Sequence, residues 1–328
     1  MTPSDAPLMA VVTEPGQGAD RRSVGAWVAG QLGSATEARW MLDAVLGPAP
    51  IGGSDQVPMG GSDQLQTLGA GRQGVPVDDA SRAELRSLVD RRRGGEPLQY
   101  VLGRWAFRHL DLLVDPRVLI PRPETEQVVE VALAELEILA EGRTAPVVVD
   151  LGTGSGAIAL SLATEVPRGR PGLEVWACDV DPGALEVARA NLADVSVTEP
   201  SVMGRVHLCQ GSWWGALPDD LFGRVDLVVS NPPYVAEHEW PDLDPAVRME
   251  PKGALVAGPA SEGTPGLGDV EAVLVGATAW LGRPGSAVIE IAPAQAEASV
   301  QIATRLGFTH AVVHPDLTGR PRTLVARR

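Results

Sequence analysis

Apolar positions along the chain follow two periods, and the change from one to the other falls near residue 147. Between Ser23 and Leu46, Val24, Val28 and Leu32, then Ala35, Ala38, Leu42 and Val45, recur at spacings of three and four, which predicts helix. Gly30 and Gly33 weaken the middle of this run and leave two short helices as an alternative to one. Residues 79–94 predict another helix, with Asp79 or Ser81 as cap and Gly94–Gly95 as stop. Over 98–125 apolar residues alternate between turns, the pattern of a β-hairpin. A helix then runs from Thr125 to Glu141 with an apolar stripe at Val129, Ala132, Leu133, Leu136 and Leu139. From Val147 onward strands and helices alternate. "VVVDLG" (147–152) is a near-continuous β-branched run, as expected of a parallel strand buried on both faces. Further strands are predicted at 174–180, 225–230 and 286–292. The helices between them are Ala157–Glu165, Pro182–Leu192 (Asp181 capping, Pro182 in the first turn) and Gly268–Leu281. "HAVVH" and "TLVARR" close on each other around "PDLTGRP". The whole predicts an open α/β sheet preceded by a small helical domain.

Composition narrows the picture. With 328 residues, 44% of them hydrophobic, the chain is long enough for one large and one small core. Residues 1–22 are polar and rich in Pro and Gly, a disordered tail by composition. "GGSDQ" occurs at 52–56 and again at 60–64, a pair too polar and too few for a repeat architecture, so a flexible insertion is expected there. The expected organisation is therefore a tail over 1–22, a helical domain over 23–97, a hairpin linker over 98–125 and the α/β domain over 126–328. No run of about 18 apolar residues predicts a membrane span, and the N-terminus lacks the basic and apolar regions of a secretory signal, so a cytoplasmic protein is expected. Cys178 and Cys209 are the only cysteines and exclude a disulfide framework; five scattered histidines give no metal spacing. A net charge of −15 disfavours general affinity for nucleic-acid phosphates. The dense cluster Arg91–Arg93 is expected to be the cationic last turn of a helix.

Ligands of open α/β sheets bind beyond the carboxyl ends of the strands, and three such ends carry chemistry. Gly152, Gly154 and Gly156 in "DLGTGSGAIAL" permit a tight turn and close approach of backbone to a ligand. Gly152, Gly154 and Ala157 also satisfy the dinucleotide pattern, so the glycines do not choose between cofactors. Asp179 ends the second strand, 22 positions past Ala157, where an acidic group accepts from ribose hydroxyls in both NAD and S-adenosylmethionine proteins. A cap is the plainer role, but Asp181 is better placed for it. "SNPPY" (230–234) ends a core strand in a rigid corner bearing one carboxamide, unless it is merely a proline-rich stop.

Together, "DLGTGSG", "DVDP" and "SNPPY" resemble a class I S-adenosylmethionine-dependent methyltransferase. More narrowly they are similar to the HemK/PrmC family of protein-glutamine N5-methyltransferases, which modify class I peptide-chain release factors. "RRRGGEPLQYVLG" (91–103), "LIPRPETE" (119–126), "VRMEPKGALVAG" (247–258) and "DLTGRPR" (316–322) extend the resemblance in the family's order. It implies a helical N-terminal domain for substrate recognition, a hairpin linker, and a seven-stranded, twisted, mostly parallel methyltransferase sheet. It implies S-adenosylmethionine bound by Gly152, Thr153, Gly154, Ser155 and Gly156, with Asp179 at the ribose, Trp213 beside the adenine, and Asn231 between cofactor and acceptor. Asn231, Pro232, Pro233 and Tyr234 become the substrate corner, with Asn231, Pro232 and Tyr234 catalytic. The implied partner is a class I release factor, approached by a monomer without nucleic acid or membrane. Two positions depart from the family: Ser212 stands where an acidic residue often precedes the tryptophan, and Ala292 where a glycine often follows the strand-five glutamate, here Glu290.

The corner suits that chemistry. A primary amide nitrogen is a weak nucleophile whose proton becomes acidic only as the new N–C bond forms, so it needs position and charge stabilisation more than a base. The Asn231 side-chain oxygen and the Pro232 carbonyl can accept its two N–H groups, and Tyr234 supplies a flat wall. The Asn231 NH2 can also donate to the substrate carbonyl. DNA adenine and cytosine-N4 methyltransferases use a similar corner, but the acidic charge and the lack of a basic recognition domain oppose them. A ribosomal-protein glutamine methyltransferase is a nearer alternative, against which "PRPETE" weighs. An NAD-dependent oxidoreductase would leave the NPPY corner idle, and a silent S-adenosylmethionine-binding module would not need Asn231.

Overall fold

The computed structural model describes residues 13–49, 75–139, 145–166, 172–260 and 265–328. The GGSDQ repeat lies outside them. The chain forms two compact units, Met1–Leu102 and Gly103–Arg328.

In the first unit, α1 (Arg21–Leu32) and α2 (Ala35–Leu46) are separate helices. Gly33 closes the first at φ 66°, a left-handed conformation that glycine adopts without steric cost, and Ser34 caps the second through Glu37 N. α1 begins inside the expected tail because the Asp20 carboxylate accepts from Ser23 N at 2.9 Å. Residues 14–16 are also held, through Arg82 donating to Gly16 O and pairing with Glu14, so the part of the tail from 13 onward is ordered by polar contacts. α3 (Asp79–Arg93) is capped by Asp78, not by Asp79 or Ser81: Asp78 takes the extended conformation and accepts from both Ser81 N and Ser81 Oγ. Its last turn carries Arg91, Arg92 and Arg93; Arg91 pairs with Glu96 and Arg92 with Glu37. α4 (Leu98–Leu102) occupies the start of the expected linker, with Tyr100 N bonded to Pro97 O. Val28, Met41, Leu85 and Val89 form the centre of this unit's core.

The second unit opens with the hairpin of β1 (Arg104–Phe107) and β2 (Leu110–Leu113). Its tight turn puts Arg108 at φ 52°, a conformation fixed by the Glu126 carboxylate on its N–H and by Glu165 on its guanidinium. α5 (Pro123–Leu139) follows. Leu133 on its predicted stripe is only half-buried, whereas Glu135 is buried, because Ser286 and Arg327 satisfy its carboxylate. The main sheet comprises β3 (Val147–Leu151), β4 (Glu174–Asp179), β5 (Val206–Gln210), β6 (Val225–Ser230), β7 (Leu281–Glu290), β8 (His310–Pro315) and β9 (Pro321–Arg327). They lie in the order β5-β4-β3-β6-β7-β9-β8, parallel up to β7, with the last two antiparallel. β5 is not announced by the hydrophobic pattern: it is an edge strand, and most of it is only partly buried. The helices α6 (Ala157–Glu165), α7 (Pro182–Thr198), α8 (Gly268–Trp280) and α9 (Ala296–Arg305) cover both faces.

Strand pleat explains the two cores. Val148 packs with α5 and α6 on one face, and Val147, Val149 and Leu151 pack with α8 on the other. β3 and β6 are buried throughout, which is why each reads as a near-continuous apolar run, interrupted by one carboxylate in each and by Ser230 at the end of β6. From β3 the chain steps outward to β4 and β5, then returns to β6 on the other side of β3. That reversal opens a crevice at the carboxyl ends of β3 and β6, where "GTGSG" and "NPPY" begin.

Candidate active site

The glycine loop is pinned to the end of β4. Gly152 N and Thr153 N both donate to Cys178 O at 2.9 Å, and Gly154 N donates to Asp179 Oδ2 at 2.9 Å. Gly152 and Gly154, at φ 76° and 54°, turn the backbone into a conformation a side chain would strain. Asp150, wholly buried at the end of β3, accepts Thr153 Oγ1 at 2.6 Å and Ala159 N at 3.1 Å through Oδ2. Its Oδ1 has no hydrogen-bond partner among the described residues, and burial pushes its carboxyl up to about 7. Asp179 also accepts from Asp181 N, so its carboxylate is held by two backbone donors while burial raises its pKa.

Trp213 follows β5 at φ 48°, its ring 3.8 Å from the point a Gly152 Cβ would occupy. Its neighbour Trp214 is buried against α8, with Nε1 donating to Val273 O at 3.0 Å.

The corner at the end of β6 is anchored on every side. Ser230 Oγ donates to Leu151 O at 2.6 Å, joining it to the glycine loop's own strand. Asn231 Nδ2 donates to Thr125 Oγ1 at 3.1 Å, and Thr125 Oγ1 donates to Glu290 Oε2 at 2.7 Å. The Tyr234 hydroxyl lies 3.5 Å from Glu290 Oε1. Gln295 Nε2 donates to Tyr234 O and Gly266 O, both at 3.0 Å. Gly266 admits no side chain, since a Cβ there would sit 2.4 Å from Tyr234 O. Val235 then bridges to Val256. The "PRPE" turn is tied to the same region: Ile120 N donates to Glu250 Oε2 at 2.9 Å, and Arg122 pairs with Glu250.

These strand ends converge on one cavity of about 410 Å3, lined by Gly152, Gly154, Asp179, Trp213, Asn231 and Pro233 among others. Thr153, Ser155 and Gly156 are buried behind it, the Thr153 hydroxyl committed to Asp150 and the Ser155 carbonyl to Asn191 Nδ2. Pro232 is buried and Tyr234 half-buried at the corner. Arg117, Val118 and Leu119 close one side and Pro251, Gly253 and Ala254 another. Leu119, Pro251, Gly253 and Ala254 belong to segments marked in the sequence only by family resemblance, and Arg117 and Val118 to none; loops distant in sequence deliver them all. Ser212 does line the cavity, supplying a small neutral side chain.

A family model described as methyltransferase small domain matches residues 132–247. Release factor glutamine methyltransferases are similar over a longer span. That of Bifidobacterium longum is 40% identical over 248 residues, covering 74% of this chain and 80% of its own. The Streptomyces coelicolor protein is 42% identical over 243 residues, covering 74% and 79%. The Burkholderia pseudomallei protein is 37% identical over 252 residues, covering 76% and 82%. The chain belongs to the release factor glutamine methyltransferase family. The cofactor of this methyltransferase is S-adenosylmethionine, and the cavity suits it. Its volume fits a nucleoside with a short side chain, Asp179 offers a carboxylate acceptor for vicinal hydroxyls, Trp213 a flat apolar wall, and Asp150 an unspent buried oxygen beneath the loop.

Proposed function

We propose that this methyltransferase transfers a methyl group from S-adenosylmethionine to the side-chain amide nitrogen of the glutamine in the Gly-Gly-Gln loop of class I peptide-chain release factors. The observation that carries the reading is the orientation of Asn231: with Nδ2 bonded to Thr125, Oδ1 is the end of the carboxamide left without a partner among the described residues. The names of the relatives, release factor glutamine methyltransferases, supply the substrate.

S-adenosylmethionine, when bound, supplies a methyl carbon made electrophilic by its positively charged sulfur. The chain's residues hold the acceptor. Asn231 Oδ1 and the Pro232 carbonyl take the two N–H groups of the glutamine amide, turning its nitrogen lone pair toward the methyl. Both oxygens stabilise positive charge on nitrogen as the N–C bond forms, and one N–H proton then leaves to solvent. Pro233 and Tyr234 wall the amide plane. Gly152–Gly156, Asp179 and Trp213 hold the cofactor, with Asn231 at the boundary. The glycines of a Gly-Gly-Gln loop let a backbone enter a narrow cleft. The enzyme works as a cytoplasmic monomer without contacting nucleic acid, in keeping with its charge of −15.

Mass spectrometry of a folded release factor after incubation with the enzyme and S-adenosylmethionine tests this. One methyl group is expected on the Gly-Gly-Gln glutamine, none on a Gly-Gly-Asn variant, whose amide is one methylene short, and none on duplex DNA. Label on adenine or cytosine, or on a ribosomal protein but never on a release factor, would overturn it.

A further inference from the structure

The two ends of the Asn231 carboxamide are chemically opposite: Oδ1 accepts and Nδ2 donates. Rotated by half a turn, the side chain would point a donor at the substrate N–H groups and repel them. Nothing within asparagine selects one rotamer, so a neighbour must. That neighbour is Thr125, whose Oγ1 receives Nδ2 at 3.1 Å. A hydroxyl can satisfy either rotamer unless its own proton is committed. Here it is: Thr125 Oγ1 donates to Glu290 Oε2 at 2.7 Å, and an ionised carboxylate only accepts. Glu290 therefore sets the direction of the chain. Thr125 and Glu290 are 4% and 1% exposed, which denies water the chance to take over either bond.

We infer that Thr125 and Glu290 are positioning residues for methyl transfer, the Glu290 carboxylate orienting the Thr125 hydroxyl so that Asn231 presents Oδ1 to the acceptor amide. The inference rests on the proposed function and adds two residues that touch neither substrate nor cofactor. It also predicts a pH signature. The groups facing Glu290 are Thr125 and Glu124 on α5, Tyr234 on the corner and Arg322 on β9; burial, with the Glu124 charge beside it, outweighs Thr125, Arg322 and Tyr234 and holds the carboxyl near 7. Once protonated, Glu290 can donate as well as accept, and the direction of the Thr125 hydroxyl is no longer fixed.

The test uses the full chain with a folded release factor at saturating S-adenosylmethionine. Thr125→Val, nearly isosteric, should lower kcat about 10–100-fold, the cost of one lost buried hydrogen bond, and leave the Kd for S-adenosylmethionine unchanged. Thr125→Ser, which keeps the hydroxyl, should recover most of that loss. The wild-type kcat should rise with pH through 7, and Glu290→Gln should flatten that limb. A Thr125→Val enzyme with wild-type kcat would overturn the inference. So would a Thr125→Ser enzyme that binds S-adenosylmethionine normally yet is as impaired as Thr125→Val, or a pH limb that survives in Glu290→Gln. If wild type itself methylates no release factor, the proposed function fails instead, and the two failures stay distinct.

Discussion

Replacing Asn231 with alanine removes the oxygen on which the amide would rest but touches no group that holds the glycine loop, since Gly152, Thr153 and Gly154 are fixed by Cys178 and Asp179. Turnover is therefore expected to fall by about 10²–10³, the usual cost of one lost polar contact at a reacting centre, with S-adenosylmethionine affinity nearly intact. Asp179→Ala should do the reverse, weakening the cofactor by about 1–3 kcal/mol through loss of a charged acceptor and of the anchor for Gly154 N. Isothermal calorimetry beside single-turnover kinetics separates the two; parallel losses in both variants would mean that the cofactor and acceptor sites are not distinct. The buried carboxyls have a second consequence. Asp150 and Glu290 are both raised to about 7, so the folded chain binds their protons more tightly than the unfolded chain does. That contribution is complete below the ordinary carboxylate range and is lost as pH rises through 7. Carboxyls shifted the other way, such as Asp316 at about 2 and the lowered Glu135, change charge only in more acidic solution. The melting temperature should thus fall between pH 5.5 and pH 8, and less steeply in Glu290→Gln; a flat wild-type profile would contradict this.

At the scale of elements, the cofactor wall depends on a residue of α8 that does not itself line the cavity. Gly276 on α8 lies under Trp214, and a Cβ there would come within 2.0 Å of the indole Cδ1. Gly276→Ala must push Trp214 off its bond to Val273 O and drag Trp213, the preceding residue, with it. A stability loss of about 1–3 kcal/mol, as in overpacked cores, should accompany weaker S-adenosylmethionine binding. Thermal melts with calorimetry would show it, and destabilisation without loss of affinity would separate the two tryptophans. This coupling was not legible in the sequence, whereas much around it was. The alternation of strands and helices from Val147 and the closing hairpin follow from local pattern and turn residues, and the helical start was legible too, though the pattern left open whether it was one helix or two and whether Gly30 or Gly33 broke it. β5 escaped because its edge position leaves it mixed in polarity, and Glu135 occupies a core position only because Arg327, 192 residues away, comes to meet it. The site divides in the same way. Gly152, Gly154, Asp179 and Asn231 sit at strand ends, where motif and topology agree. Thr125 and Glu290 stand 165 residues apart, and neither composition nor spacing connects them to Asn231.

On the scale of the whole molecule, every residue lining the cavity belongs to the second unit, Gly103–Arg328, which has its own core on both faces of the sheet. The first unit has a separate core around Met41 and Leu85, and none of the described residues lining the cavity belongs to it. Residues 103–328 alone should therefore bind S-adenosylmethionine as the full chain does. A Gly-Gly-Gln peptide needs only the corner, so the truncated and full enzymes should methylate it at similar rates. A folded release factor offers more surface, and helices outside the cofactor domain are the available place to receive it. Truncation should then raise KM for the folded factor while leaving the peptide reaction alone. Within the first unit, the polar segment 52–64 has no apolar pattern with which to join a core or grip a partner, and deleting it should change neither reaction. Steady-state kinetics on both substrates, with a melting curve for each variant, decides among these outcomes. A truncated enzyme that is folded but no longer binds S-adenosylmethionine would place part of the cofactor site in the first unit. One that methylates the folded factor at the full chain's rate would deprive the helices of any role in recognition. A folded 52–64 deletion without activity would make the repeat a functional loop.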